Sequence, residues 1–148
     1  MTAFRFRLER VRALRERGED MAKQELAGAL TARESSEDAL RQTGEELAGA
    51  RESQRDANAI PMSALDLVAR QRYLERLEDA RVAAQADLTQ KETEVESRRV
   101  ALHEAARERQ ALERLKERQR RDHARELARI EGAALDEIAL TLHRRAAQ

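Results

Sequence analysis

Three histidines, a dense mixture of arginine and glutamate, and one tyrosine are the side chains of this 148-residue sequence from which chemistry could be built. His103, His123 and His143 stand twenty residues apart, none with another histidine three or four positions away. A metal needs ligands that converge on one point, and a single helical rod cannot bring these three together. Pairs such as Glu117 and Arg121, four residues apart, read as helix-stabilising ion pairs worth about 0.2–0.5 kcal/mol rather than as acid–base machinery. The chain has no cysteine, which removes a disulfide framework and thiolate metal ligation. No P-loop or other glycine-rich phosphate cradle occurs, and two packed helices are expected to leave no concave pocket. No catalytic residue, cofactor or metal is therefore expected, and the chain is not read as an enzyme. Residues 107–129 hold nine basic and five acidic residues. Acids recurring every four or five positions would repel a phosphate backbone, so nucleic acid is not an expected partner.

The elements that carry these side chains are set by the only proline, in Asn58-Ala59-Ile60-Pro61-Met62-Ser63. Proline lacks an amide donor and pushes the preceding residue out of the α region, so a helix arriving from the left stops near Asn58. Ser63 followed by Asp66 reads as an N-cap that starts a second helix. Charged residues make up 39% of the chain and aromatics 2%, too few to fill a layered core. Abundant Ala, Leu, Glu, Arg and Gln favour long solvated helices over disorder. The expected fold is all-α, one domain over 1–148: an antiparallel coiled-coil hairpin with a helix at about 3–57, an elbow at 58–62 and a longer helix at about 63–145. At 1.5 Å per residue the helices would be about 80 and 125 Å long, so the end of the second would project beyond the first.

Heptad spacing supports this. In helix 1 the seam reads Leu26, Ala29, Arg33, Ser36, Leu40, Thr43, Leu47 and Ala50. Upstream, Phe4, Leu8 and Val11, then Leu14 and Met21, suggest a related face with a slip near Gly18. Helix 2 carries Leu74, Leu77, Arg81, Ala84, Leu88, Lys91, Val95, Arg98, Leu102, Ala105, Arg109 and Leu112. A second stripe begins at Leu127 and continues through Ile130, Ala134, Ile138 and Thr141 or Leu142. Charge is uneven: +4 over residues 1–17, −5 over 18–60, −2 over 61–106 and +3 over 107–148. A hairpin would gather both basic ends together, which suits an acidic partner there; solvated coiled-coil flanks would show the same pattern. No apolar run reaches 18 residues, and Met1–Arg7 lacks the apolar region of a secretory signal, which together point to a cytoplasmic protein.

Four stretches, in order, resemble one family. Phe4-Arg5-Phe6-Arg7-Leu8-Glu9-Arg10-Val11 is similar to the opening of FliJ-type flagellar export proteins. Gln71-Arg72-Tyr73-Leu74-Glu75-Arg76-Leu77-Glu78 resembles their Y-L-x-x-L stretch, and Ala105–Arg118 their A-R-x-x-x-x-L-E-x-L-K-E-R region. Leu135-Asp136-Glu137-Ile138-Ala139 is similar to their L-D-E-hydrophobic-A ending. The resemblance implies a non-enzymatic coiled-coil stalk, like that of rotary ATPases, in the flagellar type III export apparatus. Such a stalk binds and stimulates the hexameric export ATPase, couples it to the cytoplasmic domain of the export gate and escorts empty export chaperones. It would be cytoplasmic, recruited to the cytoplasmic face of the flagellar base and associated with the membrane-embedded apparatus only through protein partners. Under the same resemblance Tyr73, Leu77 and Ala80 are candidate gate contacts, although core packing explains them equally well. Arg10, Arg15, Leu135, Asp136 and Glu137 are candidate ATPase contacts, with helix-end packing as the alternative. Helix 1 has no aromatic residue between Arg7 and the elbow, unlike some relatives, so a gate surface shared by both helices is not implied. The alternatives are the equivalent stalk of a virulence secretion system, or a stand-alone coiled-coil scaffold.

Overall fold

The computed structural model describes residues 3–57 and 61–146. It contains two helices, α1 (Glu9–Ala57, 49 residues) and α2 (Ala64–Ala146, 83 residues), with no strand among the described residues. The longer second helix is as the sequence predicts. Of the predicted elbow, residues 58–60 lie outside the described residues, while Pro61 and Met62 are non-helical. Ser63 caps α2: its hydroxyl accepts from the Asp66 amide at 3.2 Å and donates to the Asp66 carboxylate at 2.6 Å. One orphan amide of the first turn is thereby satisfied, and the carboxylate sits at the positive end of the helix dipole.

The start of α1 differs from expectation. The predicted helix begins near residue 3, but residues 3–8 are not helical and α1 begins at Glu9. Phe4-Arg5-Phe6-Arg7-Leu8-Glu9 alternates apolar and charged residues, the period of an extended chain rather than of a helix. In that form Phe6 is buried to 6% exposure and Phe4 meets His123, ring centroids 5.7 Å apart. The partners of Phe4 and Glu9 on α2, His123 and Lys116, are seven residues apart, about 10.5 Å along the helix. A turn joins this segment to α1, the Glu9 amide donating to the Phe6 carbonyl at 3.3 Å.

The chain divides into two compact units, Met1–Glu19 with Glu104–Gln148 (unit 1) and Asp20–His103 (unit 2). In unit 2 the helix segments run antiparallel: Glu25 pairs with Arg98, Ser36 with Asp87 and Arg51 with Glu78, one number rising as the other falls. Ala22, Ala29, Ser36 and Leu47 of α1 are buried, as are Leu77, Leu88 and Val95 of α2. Every helix 1 seam residue named above from Leu26 to Ala50 is buried or half-buried, and so is every helix 2 position from Leu74 to Leu112 except the exposed Arg81. Small side chains along one line of α1 let the larger Leu and Val of α2 approach. Arg33, Lys91 and Arg98, at seam positions, lay their stems along the seam and meet flanking carboxylates: Arg33 with Glu37 and Glu92, Lys91 with Glu94, Arg98 with Glu25.

Unit 1 is also antiparallel, with Arg12 meeting Glu113, Arg15 meeting Glu108, and Glu9 meeting Lys116. The predicted apolar face of this region is overturned. Leu14 and Met21 are 64% and 61% exposed, and Leu8 and Val11 are exposed too. The heptad of α1 instead continues without a slip: counting back by sevens from Leu26 reaches Glu19 and Arg12. Glu19 is 7% exposed and Arg12 half-buried.

Candidate partner-binding surfaces

The ionic seam of unit 1 follows from charged residues at heptad core positions, which stay there only if a facing helix supplies counter-charges. Arg12 donates from Nη1 to Glu113 Oε1 at 3.0 Å and from Nε to Glu9 Oε1 at 2.8 Å. Lys116 Nζ donates to the other Glu9 oxygen at 2.9 Å, and Arg109 Nε donates to Glu19 Oε2. Hydrogen bonds from Lys116 and then Arg12 hold the Glu9 carboxyl below its ordinary pKa. Glu9, followed by Glu113, raises that of Arg12, and Glu19 raises that of Arg109. Glu9, Arg12 and Arg109 are thereby each held in their charged forms, and the seam is a set of salt links.

The non-helical segment 3–8 meets α2 and borders an open cleft of about 840 Å³, lined by residues 4–7, Glu9, Arg10 and Lys116. The expectation that two packed helices leave no concave pocket does not hold: this cleft is bounded by the non-helical chain before Glu9, the first turn of α1 and Lys116 of α2, and smaller hollows lie along the helices. Of the predicted ATPase contacts, Arg10 lines this cleft and is exposed, and Arg15 is bound to Glu108 at 2.7 Å. Leu135, Asp136 and Glu137 are exposed on α2, beginning twelve residues past His123, about 18 Å further along the helix axis. Unit 1 thus places the five residues in two groups rather than one. Beyond Leu127 every described residue except Gly132 is exposed, and Ile130, Ala134, Ile138 and Leu142 form a stripe on one face, flanked by Leu135. Glu126, bound to Arg129 at 2.6 Å and lowered in pKa by it, sits beside this stripe.

In unit 2 the three candidate gate contacts separate by burial. Leu77 is a core residue, whereas Tyr73 and Ala80 are exposed. The Arg76 guanidinium lies 5.9 Å from the centre of the Tyr73 ring, within cation–π range. Sequence reasoning missed the extended segment and the ionic seam. Period-two alternation signalled the first, and the second was available by continuing the heptad back from Leu26.

Among the described residues no three His, Cys, Asp or Glu side chains lie together as a metal site, and no helix is long and apolar enough to cross a membrane. Antiparallel helix pairs with charged seam positions, an exposed apolar stripe and an open cleft define an all-α protein of two long helices. Residues 4–148 match the family described as flagellar FliJ protein, and the chain belongs to that family of flagellar export-associated coiled-coil proteins. Among curated proteins and among solved structures, none matches the chain.

Proposed function

We propose that this protein is the non-enzymatic stalk of the flagellar type III export apparatus: it binds the hexameric export ATPase, stimulates it, couples it to the export gate and escorts empty export chaperones. The reading belongs to the family, and one observation carries it onto this chain. The α2 stripe of Ile130, Ala134, Ile138 and Leu142 is exposed over four turns. Apolar faces of that length on a helix are ordinarily covered, and a partner protein is the natural cover. Unit 1, which holds the stripe, has 17 basic and 12 acidic residues, net +5. That charge favours an acidic partner surface by steering its approach. In this reading unit 1 faces the ATPase through Arg10, Arg15 and Leu135–Glu137. Exposed Tyr73 and Ala80 of unit 2 meet the gate, with Leu77 holding the helix pair beneath them. The protein works at the cytoplasmic face of the flagellar base.

The test is the ATP hydrolysis rate of the cognate export ATPase with and without this chain, and with a variant lacking residues 127–148. Stimulation that disappears on truncation is the expected result. An unchanged rate and no binding at micromolar concentrations would leave only a helical scaffold that belongs to the family by sequence.

A further inference from the structure

The cleft beside residues 3–8 is more selective than the net charge of unit 1. Arg5, Arg7 and Arg10 are exposed along it, and among the described residues none of the three has an ionic partner. Nearby Arg12, Arg15, Arg109 and Lys116 are all bound to carboxylates. The cleft floor is apolar: Phe6 is buried, and Phe4 is half-buried against His123. We propose that this cleft is a docking site for a carboxylate-rich segment of a protein partner, one that sets an apolar side chain over Phe4 and offers acidic groups to Arg5, Arg7 and Arg10. Guanidinium forks bind carboxylates in paired, directed hydrogen bonds, and arginines without an ionic partner give up none in doing so.

The floor and the surrounding charge decide between a protein and a polyanion. Glu9, which lines the cleft, is already held by Lys116 and Arg12. A nucleic-acid strand longer than the cleft would run onto the other carboxylates that surround it in the same unit, among them Glu16, Glu108, Glu113 and Glu117. A short acidic peptide segment ends before reaching them. Arg5 and Arg7 reach the cleft from the non-helical segment 3–8, and Arg10 reaches it from the first turn of α1.

This inference rests on the reading of unit 1 as the ATPase-facing end, and the experiment separates the two. Binding of the full chain to the cognate export ATPase is measured by titration at 50 and 300 mM salt, for the wild type and the triple variants R5E/R7E/R10E and R5K/R7K/R10K. The pair Arg41→Glu and Arg99→Glu, exposed in unit 2, serves as the control. Charge reversal is expected to weaken binding at least about tenfold and to flatten its salt dependence, lysine to stay within about threefold, and the control to match wild type. Arg5 and Arg7 lie outside the helices and Arg10, Arg41 and Arg99 are exposed helix positions, so circular dichroism should be the same for all of them. Wild type that binds while the reversed variant binds equally well overturns the cleft proposal alone. Wild type that fails to bind overturns the ATPase reading and the cleft proposal with it. Tighter binding of a labelled 30-nucleotide single strand than of the ATPase at 300 mM salt would assign the cleft to nucleic acid and overturn the carboxylate partner.

Discussion

Units 1 and 2 are both made of antiparallel helix pairs from the same two helices, yet they are held by different forces. Unit 2 buries Leu47, Leu77, Leu88 and Val95 in a heptad seam with small residues opposite. In unit 1 that seam is largely ionic, with Arg12, Glu19, Arg109 and Glu113 at or beside its core positions, and the buried aromatic Phe6 comes from outside the helices. Their net charges are equal and opposite, +5 against −5. An apolar seam gains from water exclusion and is little affected by salt. Ion pairs near a surface gain little and are screened, so they hold helices together while leaving them easy to separate. One sequence pattern, read seven by seven, therefore yields an apolar seam in unit 2 and a largely ionic one in unit 1. The ionic seam belongs to the unit that also carries the cleft and the exposed stripe.

The largest expected effect sharpens the apolar side of this contrast. Leu47→Ala and Leu88→Ala remove side chains with 3% and 8% exposure, and each should destabilise unit 2 by about 2–3 kcal/mol. Leu14→Ala, at an exposed position of unit 1, should change stability by less than about 0.5 kcal/mol. Urea denaturation followed by circular dichroism measures all three. Equal losses at Leu14 and Leu88 would mean that the apolar residues of unit 1 are packed after all.

A smaller effect of opposite sign comes from the glycines. Gly28, Gly44 and Gly49 lie inside α1 with nothing within 4 Å of where a Cβ would stand. Each costs helix stability through backbone freedom alone, so alanine at each should stabilise unit 2 by about 0.5–1 kcal/mol. A rise in the denaturation midpoint on each single substitution checks this. A fall at any one of them would reveal a close approach that the fold does not contain.

Much of unit 2 was legible in sequence because its information is local and periodic. Heptad spacing from Leu26 to Ala50 and from Leu74 to Leu112 located the buried face, and Pro61 with Ser63 located the start of α2. Unit 1 was harder because hydrophobicity was the wrong signal there. Leu14 and Met21 are apolar and exposed, whereas Glu19 is charged and buried, since its partner Arg109 lies ninety residues away in sequence. A carboxylate at a core position reads as an error in a pattern until the facing helix is known. The extended segment misled for a related reason: Phe4, Leu8 and Val11 fit a helix by spacing, and only the alternation through Phe6 argues otherwise. Exposed positions such as Arg10 and Leu135 leave weaker traces still, because they satisfy no internal requirement that would mark them.

The smallest expected effect tests whether unit 1 is held by charge. Glu9 is hydrogen-bonded to Lys116 and Arg12, and its carboxyl is held below its ordinary pKa. A carboxyl lowered on folding contributes stability that is fully present above its unfolded value and is lost as the pH falls through its folded value. The guanidinium groups of Arg12 and Arg109 are raised instead, so their contribution persists throughout the neutral range and titrates only at strongly basic pH. Acid, not mild base, is therefore the direction in which unit 1 loosens. Amide exchange followed at pH 7 and pH 3, corrected for intrinsic rates, should show protection at residues 9–19 and 104–123 falling about tenfold relative to residues 20–50 and 74–103. Raising salt from 50 mM to 1 M at pH 7 should act in the same sense but more weakly, because screening reduces the attraction without removing the charge. Equal loss of protection along both stretches would show that ion pairs are not what distinguishes the two units. Loss confined to residues 9–19 and 104–123 would establish that unit 1 depends on its ion pairs in a way that unit 2 does not.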